Sequence, residues 1–172
     1  MTPLEAALGR LSPSTPASLR DALGAAAAAW LVSLGPRLVS LVLFGSVARG
    51  QACPSSDIDL LVVAGGFPWS LRERRELLLA DWRRVREERG LPPVEWNLVT
   101  KTPDEARHHA PLYLDLVEDA ILLVDRDGFF RAVLDQVRAR VQQLGSRRVF
   151  LEDGSWYWDL KPDFRWGEVV GI

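Results

Sequence analysis

Leu43-Phe44-Gly45-Ser46-Val47-Ala48-Arg49-Gly50, followed after five residues by Ser56-Asp57-Ile58-Asp59-Leu60, is the stretch on which the fold turns. Its approach, Val39-Ser40-Leu41-Val42-Leu43-Phe44, is an apolar run of strand length and predicts a buried strand. Gly45 to Ser56 has no apolar periodicity and reads as a turn plus loop. Asp57 to Val63 predicts a second strand, punctuated by Gly65-Gly66. Residues i and i+2 of a strand project to the same side, about 7 Å apart along the chain. Asp57 and Asp59 therefore share one face, and Ile58 and Leu60 share the opposite, buried one. Two carboxylates held side by side repel unless a cation lies between them, and a hard oxygen donor set suits Mg²⁺ or Mn²⁺. Gly45 directly after a strand permits close approach of a ligand to the backbone. The Ser46 hydroxyl and the amides that follow offer donors to phosphate oxygens, and Arg49, a turn later, offers a guanidinium fork. Phosphate donors on one strand end and a metal-binding acid pair on its neighbour imply a site for a nucleoside triphosphate.

Outward from this stretch, Leu19, Leu23, Ala26, Trp30 and Leu34 fall near one face and predict a helix to about Leu34. Thr15 or Ser18 would cap it, and Gly35-Pro36 stops it. Residues 1–16, rich in Pro, Ser and Thr, read as an irregular arm. Downstream, Leu71 to Arg89 predicts a charged helix with Leu71, Leu78, Trp82 and Val85 as its inner stripe and Gly90 closing it. Val94 to Val99 predicts a third strand, with Glu95, Asn97 and Val99 on one side and Trp96 and Leu98 on the other. Pro103-Asp104-Glu105 opens a short helix. Pro111 to Ala120 predicts another helix, Ile121 to Val124 a short strand, and Phe129 to Leu144 a helix ending at Gly145. Arg147 to Leu160 predicts a hairpin turning at Glu152-Asp153-Gly154-Ser155.

This order of elements predicts an α/β (α+β) fold with a small mixed β-sheet flanked by helices. One domain is expected over residues 1–145, with its core in 37–125, and an aromatic-rich C-terminal hairpin or tail over 146–172 packed on it. In that tail Trp156, Trp158 and Leu160 alternate onto one face. With few basic residues interleaved, they read as a packing or oligomer-forming stripe rather than as a platform for bases. His108-His109 lies four residues beyond Asp104-Glu105, with Glu105 and His109 spaced for one helix face; no third zinc ligand accompanies them, so a solvated face is expected.

With 172 residues, 48% of them hydrophobic, the chain can bury a core without disulfides or a structural metal. A net charge of −2 and a pI of about 5.7 argue against a nucleic-acid partner, which selects for a basic surface. Cys53 is the sole cysteine, so no internal disulfide forms and a reducing cytoplasm is the expected location. The apolar run from Ala25 to Leu34 is too short to span a bilayer, and no basic segment precedes an apolar core as in a secretory signal.

Gly45-Ser46, ten intervening residues and Asp57-Ile58-Asp59 together resemble the nucleotidyltransferase superfamily that includes DNA polymerase β and kanamycin nucleotidyltransferase. Within it, Gly-Ser-x-Ala-Arg-Gly followed by Ser-Asp-Ile-Asp-Leu looks most like the minimal nucleotidyltransferases of bacteria and archaea. The resemblance is carried by residues 39–63 and, through element order, extends to about Val99. It implies metal-dependent transfer of a nucleoside monophosphate from an NTP, ATP foremost, to an acceptor hydroxyl. It further implies two divalent ions on Asp57, Asp59 and a third carboxylate from a later strand. Glu95 is the candidate for that third position, where the family commonly has Asp, and Asn97 on the same face is the fallback. Gly45, Ser46 and Arg49 would hold the phosphates. Minimal nucleotidyltransferases often serve as antitoxins to a helical partner of the HEPN type, so the resemblance implies a protein acceptor. The alternative it leaves open is a non-catalytic nucleotide-binding module that masks such a partner.

Overall fold

The computed structural model describes residues 2–171. A four-stranded mixed sheet runs in the order β3-β2-β1-β4, built from β1 (Leu38–Phe44), β2 (Ile58–Ala64), β3 (Trp96–Lys101) and β4 (Ile121–Asp125). β1 lies antiparallel to β2 and to β4, and β3 runs parallel to β2. Because β1 and β2 are central and covered on both faces, they read as continuous apolar runs. Leu41, Leu43, Leu60 and Val62 face one layer, formed by α1 (Pro3–Leu8), α2 (Ala17–Leu34) and α4 (Leu71–Arg89). Val42, Leu61 and Val63 face the other, formed by α5 (Pro103–Arg107), α6 (Leu112–Asp119) and α7 (Phe129–Leu144). A single turn of helix, α3 (Gly45–Ala48), links β1 to the loop before β2.

The first layer centres on three tryptophans. Trp96 of β3 meets Trp30 of α2 and Trp82 of α4 edge-on, at ring separations of 5.5 and 5.2 Å, a favoured aromatic geometry. The Trp30 indole N–H donates to the Leu78 carbonyl at 3.0 Å, tying α2 to α4. In the second layer Tyr113, fully buried, donates its hydroxyl to the Ala106 carbonyl at 3.0 Å, and burial pushes its pKa up to about 12.

Several local expectations are corrected. The arm before α2 contains α1, started by a capping box: Thr2 accepts from the Glu5 amide, and the Glu5 carboxylate accepts from the Thr2 amide. The capping position of α2 is Pro16, with no side-chain cap, so neither Thr15 nor Ser18 serves. On α4 the inner stripe is Arg74, Leu78, Trp82 and Val85, whereas Leu71 is exposed. Arg74 is buried because its guanidinium is fully partnered, by the Pro68 carbonyl at 2.6 Å and by Glu105 at 2.6 and 2.9 Å. α5 ends at Arg107, so Glu105 and His109 do not share a helix face.

The C-terminal hairpin forms as expected from β5 (Arg147–Phe150) and β6 (Trp156–Asp159), paired antiparallel. Trp158 and Leu160 pack against the α6–α7 core. No helix of the described residues is long and apolar enough to cross a membrane.

Candidate active site

Register brings the motif together. In the antiparallel β1–β2 pair Phe44 stands opposite Asp59, so the turn after Phe44 arrives beside the start of β2. In the parallel β2–β3 pair Asn97 stands opposite Asp59. Gly45 has φ +70, and a Cβ at that position would overlap the Asp59 carboxylate. Glycine is therefore required twice there, for its backbone conformation and for the space Asp59 occupies. The residue admits a carboxylate of the chain itself against the backbone, a closer approach than the sequence pattern expressed.

A cavity of about 350 Å³ opens at this end of the sheet. Gly45, Ser46, Arg49, Asp57 and Asp59 all line it. So do Phe44, Leu112, Asp115 and Asp119, and Trp156 from the hairpin. Asp57 precedes the first residue of β2 and is exposed; Asp59, inside the strand, is half-buried. The Asn97 amide donates to Asp59 Oδ1 at 2.8 Å. Burial is the main cause raising the Asp59 carboxyl above its ordinary range, and the Asp57 charge adds to it; the Asn97 hydrogen bond and the Arg49 charge act the other way.

Glu95 is not brought to the pair. β3 starts one residue after it, its side chain is exposed, and it does not line the cavity. Its carbonyl accepts from the Ile58 amide at 2.9 Å, a strand-edge contact. Among the described residues no three His, Cys, Asp or Glu side chains converge as a metal-binding group. The neighbour that register does supply to Asp59 is Asn97. What remains for a cation is a carboxylate pair open to a cavity, and among the described residues neither acid forms an ion pair. Mg²⁺ is characteristically held by one or two carboxylates plus water and substrate phosphates, so two acids are a fitting donor set.

Arg49 is engaged elsewhere. Its guanidinium pairs with Asp119 at 3.8 Å, and its centre lies 4.9 Å from the Trp156 ring centroid. Arg148 of β5 also reaches Asp119, at 3.1 Å, and Asp115, at 3.6 Å. Asp115 Oδ1 accepts from both indole N–H groups, Trp156 at 2.9 Å and Trp158 at 3.0 Å. Sequence reading missed Asp115 and Asp119, whose signal was their i, i+4 spacing on α6; it saw the Trp156–Trp158 stripe without connecting it to this site. In the loop between turn and acids, the Ser55 and Ser56 hydroxyls hold the exposed Cys53 thiol down at about 7.

Residues 29–123 of the chain match the model of the nucleotidyltransferase domain. The chain belongs to that family and is a nucleotidyltransferase. A protein of Methanocaldococcus jannaschii, provisionally named a protein adenylyltransferase, is 27% identical over 121 residues, which cover 69% of this chain and 79% of that protein. Among solved structures, a toxin–antitoxin crystal structure with AMP-PNP is 21% identical, covering 69% of this chain and 86% of that one, with a TM-score of 0.49. The MntA–HepT toxin–antitoxin structure is 19% identical, covering 66% and 80%, with a TM-score of 0.41.

Proposed function

We propose that the chain transfers AMP from ATP to a hydroxyl on a partner protein, with Asp57 and Asp59 holding the divalent metal the reaction needs. The observation that carries this reading is the pairing of Asp57 and Asp59 against the Gly45-Ser46 turn in one open cavity. Family membership supports nucleotidyl transfer, and the name of the archaeal relative supports adenylate and a protein acceptor. Bound Mg²⁺ or Mn²⁺ supplies Lewis-acid charge neutralisation on the triphosphate and acidifies a hydroxyl. The Ser46 hydroxyl and the amides of its turn donate to phosphate oxygens, and Arg49 offers its fork to the same charge. The Asn97 amide, by donating to Oδ1, holds the Asp59 carboxylate in one orientation at the cavity wall. The acceptor oxygen bonds to the α-phosphorus as the α–β anhydride bond breaks, pyrophosphate leaves, and the hydroxyl proton passes to water in the open cavity. Asp115 and Asp119 do not compete for the metal, because two indole N–H groups and Arg148 already engage them. A helical partner of the HEPN type is the acceptor that the family resemblance favours.

Turnover of α-labelled ATP, GTP, CTP and UTP with Mg²⁺, Mn²⁺ or EDTA tests this, with a cell extract as the acceptor source. The expected result is labelled protein and pyrophosphate from ATP, abolished by EDTA and by Asp57→Ala or Asp59→Ala. Label appearing on RNA or on a small molecule, or turnover surviving the double substitution, would overturn it.

A further inference from the structure

The geometry points to the C-terminal hairpin as a wall of the nucleotide site, with Trp156 as a positioning residue that holds Arg49 clear of the acid pair. Arg49 stands between Gly45-Ser46 and Asp57 and lines the same cavity as the two carboxylates. Coulomb attraction alone would draw its guanidinium onto Asp57 and Asp59, where it would occupy the place of a divalent ion. It is not there: its Nε donates to Gln51 Oε1 at 3.2 Å, it pairs with Asp119 at 3.8 Å, and its centre lies 4.9 Å from that of the Trp156 ring. A guanidinium over an indole face is held by the ring's quadrupole, and this contact is largely shielded from water, with the Arg49 side chain 24% exposed.

The ring is itself fixed. Its N–H donates to Asp115 at 2.9 Å, its strand is paired to β5, and Arg148 lies 5.1 Å from its centroid while bridging to Asp119. Residues 146–172 lie beyond the stretch matched by the family model, yet they place an aromatic side chain in the cavity. The tail is thereby part of the site: it leaves the acid pair open to metal and keeps Arg49 at the cavity rim, available to the triphosphate. This inference rests on Arg49 serving the phosphates, as proposed above.

The test compares Trp156→Leu, which keeps apolar bulk without a π face, with Trp156→Phe, which keeps the face. Each is made alone and in an Arg49→Ala background, with Tyr157→Ala, on the opposite and exposed side of β6, as the fold control. Binding of AMP-PNP with Mg²⁺ by calorimetry is read beside KM for ATP, kcat and the half-saturating Mg²⁺ concentration. Trp156→Leu is expected to raise Kd, KM and the Mg²⁺ requirement about three- to tenfold, with kcat at saturation little changed. Trp156→Phe should restore most of this, Tyr157→Ala should change nothing, and Trp156→Leu should add little once Arg49 is gone. Unchanged binding in Trp156→Leu, or a loss that adds in full to Arg49→Ala, would overturn the inference. Wild-type binding without turnover would instead sink the catalytic reading alone, since calorimetry still reports on the tryptophan.

Discussion

At the residue scale, Asp59 is where the site is made, and three neighbours decide its behaviour. Gly45 leaves room for its carboxylate, Asn97 orients it, and Asp57 adds the like charge that calls for a cation. Gly45→Ala places a side chain at φ +70 and onto that carboxylate, so it should cost about 1–3 kcal/mol of stability and abolish transfer. Urea unfolding and turnover on the same sample check both halves. Asn97→Ala removes the donor that fixes the carboxylate proposed to hold the metal, and on that reading the half-saturating Mg²⁺ concentration should rise about 10- to 100-fold. Glu95→Ala should leave that value unchanged, and a comparable rise there would return Glu95 to the site. Alternation along the third strand did place Asn97 and Glu95 on one side. Which of them stands opposite Asp59 is a matter of inter-strand register, and register is set by pairing partners that a single strand's pattern does not contain.

At the element scale, two Thr-Pro-x-Glu stretches, Thr2 to Glu5 and Thr102 to Glu105, both form capping boxes at helix starts. The signature was legible in each, yet the first was absorbed into a Pro-, Ser- and Thr-rich arm because composition outweighed spacing. Glu105 has a second task as the counter-charge of buried Arg74, and that fork is the largest cause holding its carboxyl down at about 2. Glu105→Gln keeps the cap while leaving a buried guanidinium without its anion. Breaking a fully buried pair costs several kcal/mol; with Glu105 39% exposed, about 2 kcal/mol is the expected loss near neutral pH. A depressed carboxylate pKa gives stability that is present above the unfolded value and lost as pH falls through the folded one. The difference between wild type and Glu105→Gln should therefore shrink from about pH 4.5 towards pH 2, which urea midpoints across that range would show. Arg74 was not foreseen inside because helical periodicity ranks a position by hydropathy and cannot see the carboxylate thirty-one residues away that permits burial.

At the scale of the whole molecule, the sheet is a partition between two cores, and the site lies where β1 ends beside the starts of β2 and β3. The edge-on contacts of Trp30 and Trp82 with Trp96 join α2, α4 and β3 beside Ile58, between the two acids. Trp30→Ala removes one of the two rings packed on Trp96 and should cost about 3–5 kcal/mol. Urea unfolding should show a lower midpoint with an unchanged slope; a lowered slope would instead mean that the two cores unfold separately. The hairpin attaches to the second core through Trp158 and Leu160 and reaches the cavity through Trp156. Alternation of the tail's aromatic residues was legible, but its destination was not.

What the sequence by itself determined is local and chemical: an apolar strand, a Gly-Ser turn, a second strand headed by two acids ten residues on, and the helix–strand order around them. Those features follow from periodicity, backbone freedom and charge along one segment of chain. Only the tertiary structure decided which side chains from distant segments meet: Asn97 in place of Glu95 beside Asp59, Asp115 and Asp119 in the same cavity as the acid pair, and Trp156 beside Arg49. Each of those meetings depends on strand register and helix docking. Both are settled by packing two cores against one sheet, a global fit that no local pattern encodes.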